Sequence, residues 1–291
     1  MEIFIAKTSG FCFGVKRAIN MAEACSTDDC SEISTLGPLI HNPQVVSKLE
    51  DSGIVAKKSL DDINDGTVII RSHGVKLQDH EEAERKELNV VDATCPFVSK
   101  AQELVALLTE EDYTVIVLGE KEHPEVKGLM SYGSSSIRVV NNVDDLSDMP
   151  RVAKIGIVAQ TTQDIRNLQE VTAFCLSKAS EVKIYNTICN ATSLRQTESI
   201  EIAHKVDLMI VVGGKNSANT KRLVEICEAI QPKTRHIEIA SEMDRGWFTG
   251  VSSVGITAGA STPSWVIEDV VKRVEEFGSS GSIAINEAKS R

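Results

Sequence analysis

The sequence predicts an α/β protein made of three similar small parallel-sheet lobes in a pseudo-three-fold ring. Two observations predict it. Short β-branched runs alternate with amphipathic helical stretches along the 291 residues, the pattern of parallel sheets covered by helices. Three cysteines also recur in near-equivalent settings: Cys12 in Gly-Phe-Cys-Phe-Gly, Cys95 in Ala-Thr-Cys-Pro and Cys189 in Thr-Ile-Cys-Asn. Each follows a β-like run, stands just before a helical pattern, and lies 83 or 94 residues from the next.

The elements follow in order. Strands are predicted at Ile3–Ala6, Thr67–Arg71, Thr114–Leu118, Lys154–Ala159, Val182–Tyr185, Asp207–Val212 and Ser253–Thr257. Helices are predicted at Val15–Ala24, Val98–Glu110, Gln163–Lys178, Leu194–Lys205, Thr220–Ile230 and Trp265–Phe277. Apolar residues there recur at three- and four-residue intervals, as in Leu223, Ile226, Cys227 and Ile230.

Polar loops sharpen the repeat. His41, in Gly-Pro-Leu-Ile-His-Asn-Pro, comes 29 residues after Cys12. His123, in Gly-Glu-Lys-Glu-His-Pro-Glu, and Ser217, in Gly-Lys-Asn-Ser-Ala-Asn, each come 28 residues after their cysteine. A second strand in each unit exits through Arg-Ser-His73-Gly, Ala-Gln-Thr161-Thr or Ala-Gly-Ala-Ser261-Thr-Pro. One unit is therefore Cys, helix, strand, polar loop, helix, strand, polar loop, helix, strand. The lobes are expected at 13–95, 96–188 and 189–278. The third unit has no strand after its last helix, so the N-terminal segment 1–12 is expected to close its sheet. Residues 279–291, with Gly-Ser-Ser-Gly-Ser, read as a flexible tail.

Composition narrows the function. With 42% apolar residues the chain can bury substantial cores, and the formal net charge is −11. No basic block appears, which argues against binding nucleic acid or an anionic membrane. The N-terminus lacks a signal-peptide pattern, and no apolar run approaches the ~20 residues of a membrane span. Seven cysteines, an odd number without a tight framework, fit a reducing cytoplasm. A cytoplasmic location is expected.

Thiolates are favoured at helix N-termini, where unpaired N–H groups and the helix dipole lower the thiol pKa. One such cysteine per repeat predicts a single metal centre on the pseudo-three-fold axis. Three ligands to an iron–sulfur cluster leave one iron open to substrate. Cys175 and Cys227 fall within amphipathic helices and read as small core hydrophobes. Cys25 and Cys30 lie in a polar stretch without two further ligands nearby and read as surface residues.

In parallel α/β units, ligands gather at the carboxyl ends of strands, where all these loops lie. Their His, Ser, Thr and Asn residues, with capped helix N-termini behind them, form an inventory for an anion such as a diphosphate. No Walker loop or Gly-x-Gly-x-x-Gly motif is present. Glu125, two residues after His123, is a carboxylate within these loops beside a histidine. Enclosure would raise its pKa and suit it as a general acid, although a helix first turn also favours glutamate for purely structural reasons.

With these residues in hand, residues 1 to about 278 resemble the 4-hydroxy-3-methylbut-2-enyl diphosphate reductase family, also called IspH or LytB. The matching motifs are Gly-Phe-Cys12-Phe-Gly-Val, Gly-Pro-Leu-Ile-His41-Asn, Arg-Ser-His73-Gly, Asp-Ala-Thr-Cys95-Pro and Gly-x-x-x-His123-Pro-Glu125-Val. Gln-Thr161-Thr, Lys-Asn-Ser217-x-Asn219 and Thr-Ala-Gly-Ala-Ser261 complete them. The resemblance implies an oxidoreductase of isoprene biosynthesis, acting last in the methylerythritol phosphate pathway. It implies a central [4Fe–4S] cluster on Cys12, Cys95 and Cys189, whose open iron binds the substrate hydroxyl. His41, His73, His123, Ser217, Asn219 and Ser261 are implied to hold the diphosphate. Glu125 is implied to deliver protons, with Thr161 supporting the hydroxyl and proton network. The products implied are isopentenyl and dimethylallyl diphosphates, and the electron donor a ferredoxin or flavodoxin. One departure is Ala218, where some members carry a second serine.

Two other readings of the three cysteines stay open at this level. One is a hydro-lyase using its cluster as a Lewis acid without net electron transfer. The other is an iron–sulfur sensor or scaffold, although no helix-turn-helix or basic recognition surface accompanies it.

Overall fold

The computed structural model describes residues 1–25, 32–133 and 137–278, together with the backbone of 284–287. The fold is α/β and three-lobed, with every strand pairing parallel. The chain divides into two compact units: Gly14–Ile40 with Val46–Cys189, and Met1–Phe13 with His41–Val45 and Asn190–Arg291.

The larger unit holds two sheets. The first contains β2 (Ile33–Leu36), β3 (Ile54–Lys57), β4 (Thr67–Ile70) and β5 (Asn89–Asp92), in the order β3-β2-β4-β5. The second contains β6 (Thr114–Leu118), β7 (Ile137–Val140), β8 (Val152–Ala159) and β9 (Ala179–Ile184), in the order β7-β6-β8-β9. The connecting helices are α1 (Phe13–Cys25), α2 (Pro43–Asp51), α3 (Leu77–Arg85), α4 (Pro96–Glu110), α5 (Pro124–Ser131) and α6 (Ile165–Leu176). The first residues of α1 and α2 belong to the smaller unit.

The smaller unit repeats the plan once. It contains β1 (Glu2–Ile5), β10 (Leu208–Val212), β11 (Thr234–Ile237) and β12 (Ser253–Ala258), with α7 (Asn190–Ala203), α8 (Ala218–Glu228) and α9 (Ser264–Gly278). Its order is β11-β10-β12-β1, followed by β13 (Ala284–Glu287) at the edge. In register, Ile3 stands against Val254 and Ile5 against Ile256. The N-terminal strand thus occupies the sheet position that β5 and β9 hold in the larger unit.

Burial explains the central strands. Parallel strands covered on both faces read as uninterrupted apolar runs rather than alternating ones. Val68, Ile69 and Ile70 of β4, Ile116, Val117 and Leu118 of β6, and Ile210, Val211 and Val212 of β10 are all fully buried. In the second sheet, Leu168 and Val171 of α6 pack with Ile116, Leu118 and Ile157 on one face. Val105 and Leu108 of α4 pack with Val115, Val117 and Val158 on the other. The third sheet is covered in the same way by Val266 and Val270 on one side and by Ile202 and Leu223 on the other.

Two features differ from the sequence expectation. Each lobe has an additional four-residue strand, β3, β7 or β11, at the sheet edge. These strands are partly exposed and too short to generate a strong period of their own. The segment read as a flexible tail carries β13, which pairs in parallel with β1. The outer edge of β1 offers N–H and C=O groups, and Ala284–Glu287 supplies a strand to meet them. Among the described residues, no helix is long and apolar enough to cross a membrane.

Candidate active site

The three repeated cysteines occupy one kind of position. Cys12, Cys95 and Cys189 immediately precede α1, α4 and α7, and each follows the equivalent strand, β1, β5 or β9. None of the three is in a disulfide, and all are partly exposed. Each backbone amide is held by a carbonyl from the loop leaving the neighbouring strand. Cys95 N donates to Ser72 O at 3.0 Å, Cys189 N to Thr161 O at 3.0 Å, and Cys12 N to Ala260 O at 3.1 Å. The accepting residues adjoin or are three of the predicted loop residues, His73, Thr161 and Ser261. Hydrogen bonding therefore carries the sequence repeat into geometry.

The other loop of each repeat is equally regular. Gly37, Gly119 and Gly213 leave β2, β6 and β10, and their amides donate to Lys57 O, Val140 O and Ile237 O on the edge strands. Four residues beyond these glycines come His41, His123 and Ser217. Asn42, next to His41, accepts from Val45 N at 3.0 Å. His123 and Ser217 are themselves the caps of α5 and α8. Donor-rich helix starts are thus set at strand ends, where anions are favoured.

In the larger unit His73, His123, Glu125 and Thr161 come together. The His73 and His123 rings meet edge to face, with centroids 5.6 Å apart. His73 sits in a tight turn closed by Gly74 N donating to Arg71 O, and Gly74 adopts φ +71°. Glu125 N donates to His123 Nδ1 at 3.1 Å. In the neutral ring that leaves the proton on Nε2, a donor suited to an anion.

Glu125 is 1% exposed. Its Oε1 accepts from Thr161 N at 2.6 Å and its Oε2 from Thr161 Oγ1 at 2.9 Å. Burial pushes its pKa up to about 7, against the opposing effect of both Thr161 hydrogen bonds. Such a carboxyl exchanges its proton near neutral pH, as a general acid requires. Thr161 has a further connection, since its carbonyl holds the Cys189 amide.

In the smaller unit His41, Ser217, Asn219 and Ser261 are brought together by contacts to shared loops. Ser261 Oγ donates to His41 O at 3.1 Å, and Asn219 Oδ1 accepts from Ala260 N at 3.0 Å. Ser217 Oγ accepts from Thr220 N at 3.3 Å, which leaves its hydroxyl proton for another acceptor. With its Oδ1 taken by Ala260 N, Asn219 has its Nδ2 donors on the other side of the amide. To donate to an anion, Ser261 would exchange its bond to His41 O.

The chemistry of the three cysteines suits iron–sulfur ligation: each is partly exposed, stands at a helix start and is outside any disulfide. Gly14 makes room beside one of them, because a Cβ there would lie 2.6 Å from Cys95 Sγ. The comparison thiols behave differently. Burial drives Cys175 up to about 11 and Cys227 up to about 12, as expected of core residues. Cys25 Sγ donates to Met21 O at the end of α1, and Cys30 lies outside the described residues.

The sequence reading passed over Gln160, Arg195 and Glu198. Gln160 is fully buried and accepts from Glu120 N at 3.0 Å. A signal for Arg195 was present: α7 has no clear apolar stripe, yet it buries Thr192, Arg195, Gln196 and Ser199.

Three parallel α/β lobes, each with a cysteine at a helix start, and a buried acid beside histidines define a class of three-lobed α/β protein with polar residues gathered at its strand ends. A family profile described as LytB protein matches residues 3–275, and the chain belongs to that family. It is 54% identical over 281 residues to the 4-hydroxy-3-methylbut-2-enyl diphosphate reductase of Trichlorobacter lovleyi, covering 96% of this chain and all of that protein. It is 53% identical over 277 residues to the reductase of the same name from Geotalea uraniireducens, covering 95% of this chain and 98% of that protein. Among solved structures, a Plasmodium falciparum E-1-hydroxy-2-methyl-but-2-enyl-4-diphosphate reductase matches with a TM-score of 0.93 at 28% identity, over 99% of this chain and 92% of that one. A second, described as (E)-4-hydroxy-3-methyl-but-2-enyl diphosphate reductase, the terminal enzyme of the non-mevalonate pathway, matches with a TM-score of 0.70 at 46% identity. That match covers 94% of this chain and 99% of the other.

Proposed function

We propose that this chain catalyses the reaction of its relatives, with Cys12, Cys95 and Cys189 as ligands of a [4Fe–4S] cluster. It is an oxidoreductase that reductively dehydroxylates 4-hydroxy-3-methylbut-2-enyl diphosphate to isopentenyl and dimethylallyl diphosphates. This is the last step of the methylerythritol phosphate route to isoprenoids. Two electrons and two protons enter; one proton leaves with the hydroxyl as water and the other ends on carbon. The electrons come from an external carrier such as a ferredoxin or flavodoxin.

The observation that carries the reading is the Thr161 junction, where one residue binds both oxygens of a buried acid and the amide of a proposed cluster ligand. When bound, the cluster supplies electrons and, at the iron without a protein ligand, a Lewis acid. The residues of the chain supply the rest. His41, His73, His123, Ser217, Asn219 and Ser261 hold the diphosphate by side-chain donors. Protonated Glu125 gives its proton to the departing hydroxyl, and Thr161 keeps the carboxyl oriented throughout. Ala218 leaves one hydroxyl fewer for the anion and bears on affinity.

The deciding experiment is an anaerobic assay of reconstituted protein with reduced viologen dye and the substrate. Dye oxidation that requires both substrate and cluster is expected. Turnover without reductant would establish the hydro-lyase reading instead, and a well-formed cluster with no reaction would favour the sensor.

A further inference from the structure

The loop joining β1 to Cys12 is gripped by two side chains of α7. Glu198 takes Lys7 N on Oε1 at 2.8 Å, and Thr8 N on Oε2 at 2.8 Å. Thr8 Oγ1 also donates to Oε2, at 2.6 Å. One helical turn earlier, Arg195 Nη2 donates to Thr8 O at 2.5 Å and to Gly10 O at 2.8 Å. Gly10 adopts φ +98°, a conformation that turns its carbonyl without the strain a side chain would add. Two residues later comes Cys12.

Arg195 is 3% exposed. Burying a guanidinium is unfavourable unless its donors are met, and an apolar side chain of similar size commonly stabilises a fold as well or better. Here Nη2 meets two backbone carbonyls of one short loop and Nη1 meets Ala191 O of its own helix at 3.4 Å, while Glu198, on the same face at i+3, takes the amides of that loop. Together they bind both polarities of the backbone between residues 7 and 10. A merely cohesive contact would not need such complementarity.

We propose that Arg195 and Glu198 are positioning residues for Cys12, fastening the Lys7–Gly10 backbone to α7 so that the thiolate stays directed at the cluster. The proposal rests on the reading of Cys12 as a cluster ligand. Loosening the grip frees Cys12 first and speeds loss of iron, while the other two thiolates keep their ordinary order of release.

The test uses anaerobically reconstituted holoprotein. Wild type, Glu198→Gln, Glu198→Ala and Arg195→Lys are compared with Glu201→Gln on the exposed face of α7 and with the core variant Val270→Ala. Iron release to a chelator is timed, alkylation at each cysteine is followed by mass spectrometry, and hydrogen exchange is measured over residues 7–12. For Glu198→Ala and Arg195→Lys, faster exchange at Lys7 and Thr8 is expected, with iron release accelerated ~10-fold and Cys12 alkylated ahead of Cys95 and Cys189. Glu198→Gln, which keeps the shape, should fall between them and wild type. The two controls should release iron at the wild-type rate well below their melting temperatures. The proposal is overturned if loop exchange rises while iron release and Cys12 alkylation stay at wild-type values, or if Val270→Ala releases iron as fast. If Cys12 of the wild type is alkylated at full rate with its cluster intact, the ligand assignment itself fails.

Discussion

At the scale of single residues, Glu125 decides how the site depends on pH. In the proposed mechanism its protonated form releases the hydroxyl as water, and burial places its pKa at about 7. Single-turnover rates should therefore fall as pH rises through that value. Glu125→Gln should keep the cluster and bind substrate, lose that alkaline limb, and turn over at least ~100-fold more slowly. Near-normal turnover would remove Glu125 from the role. Thr161→Val deletes a hydrogen bond that favours the carboxylate, so the alkaline limb should move upward, readable in a pH–rate profile.

The same residue affects stability, with a definite sign. Folded Glu125 binds its proton more tightly than a glutamate at the usual 4.5. Its effect on stability therefore becomes less favourable as pH rises from about 4.5 to about 7. Glu125→Gln does not titrate, so its stability relative to wild type should improve by roughly 3 kcal/mol across that window. Denaturant unfolding at pH 4.5 and pH 8 measures the difference. A constant gap would mean the carboxyl is not perturbed.

At the scale of elements, the strand-to-helix junction is the repeated device, and its tolerances are small. Gly14, in the first turn of α1, leaves space for the thiol of Cys95; a methyl group there would meet Sγ at 2.6 Å. Gly14→Ala should displace the thiol, lowering the iron bound per chain, with overpacking costing about 1–3 kcal/mol. Iron content and melting temperature of the reconstituted variant test this together. Full iron content would show that the thiol can move aside freely.

The element scale also shows why parts of the sequence were legible. Val-Ile-Val-Leu in β6 and Leu-Met-Ile-Val-Val in β10 are unmistakable because both faces are buried. β3, β7 and β11 were not identified, since a short edge strand is defined by the backbone of its neighbour more than by its own side chains. β13 was hidden for the same reason, behind a Gly/Ser-rich approach. Helix α5 is only eight residues long, and its start was visible through His123-Pro124-Glu125 rather than through its period.

At the scale of the whole molecule, the proposed ligand set gives Cys12, Cys95 and Cys189 equal roles. Serine at any one of the three should sharply reduce iron retained after reconstitution. Cys25→Ser should leave it unchanged, because that thiol caps the end of α1 instead. Iron and sulfide analysis of the four proteins decides the matter; iron loss in Cys25→Ser would mean that the ligand set is misassigned.

What the sequence determined by itself was the alternation of strand and helix, the repeated cysteine and loop positions, and the chemical types gathered at strand ends. These are local or periodic properties, written in residue identity and spacing. Tertiary structure alone decided that Thr161 bridges Glu125 to the Cys189 amide, and that Glu125 is buried deeply enough to hold its proton near neutral pH. It alone decided that Arg195 and Glu198 close on the backbone before Cys12, nearly two hundred residues away in the chain. Hydrogen bonds to main-chain atoms and desolvation leave no residue pattern, because any residue can present the amide or carbonyl, and burial depends on everything packed around the group.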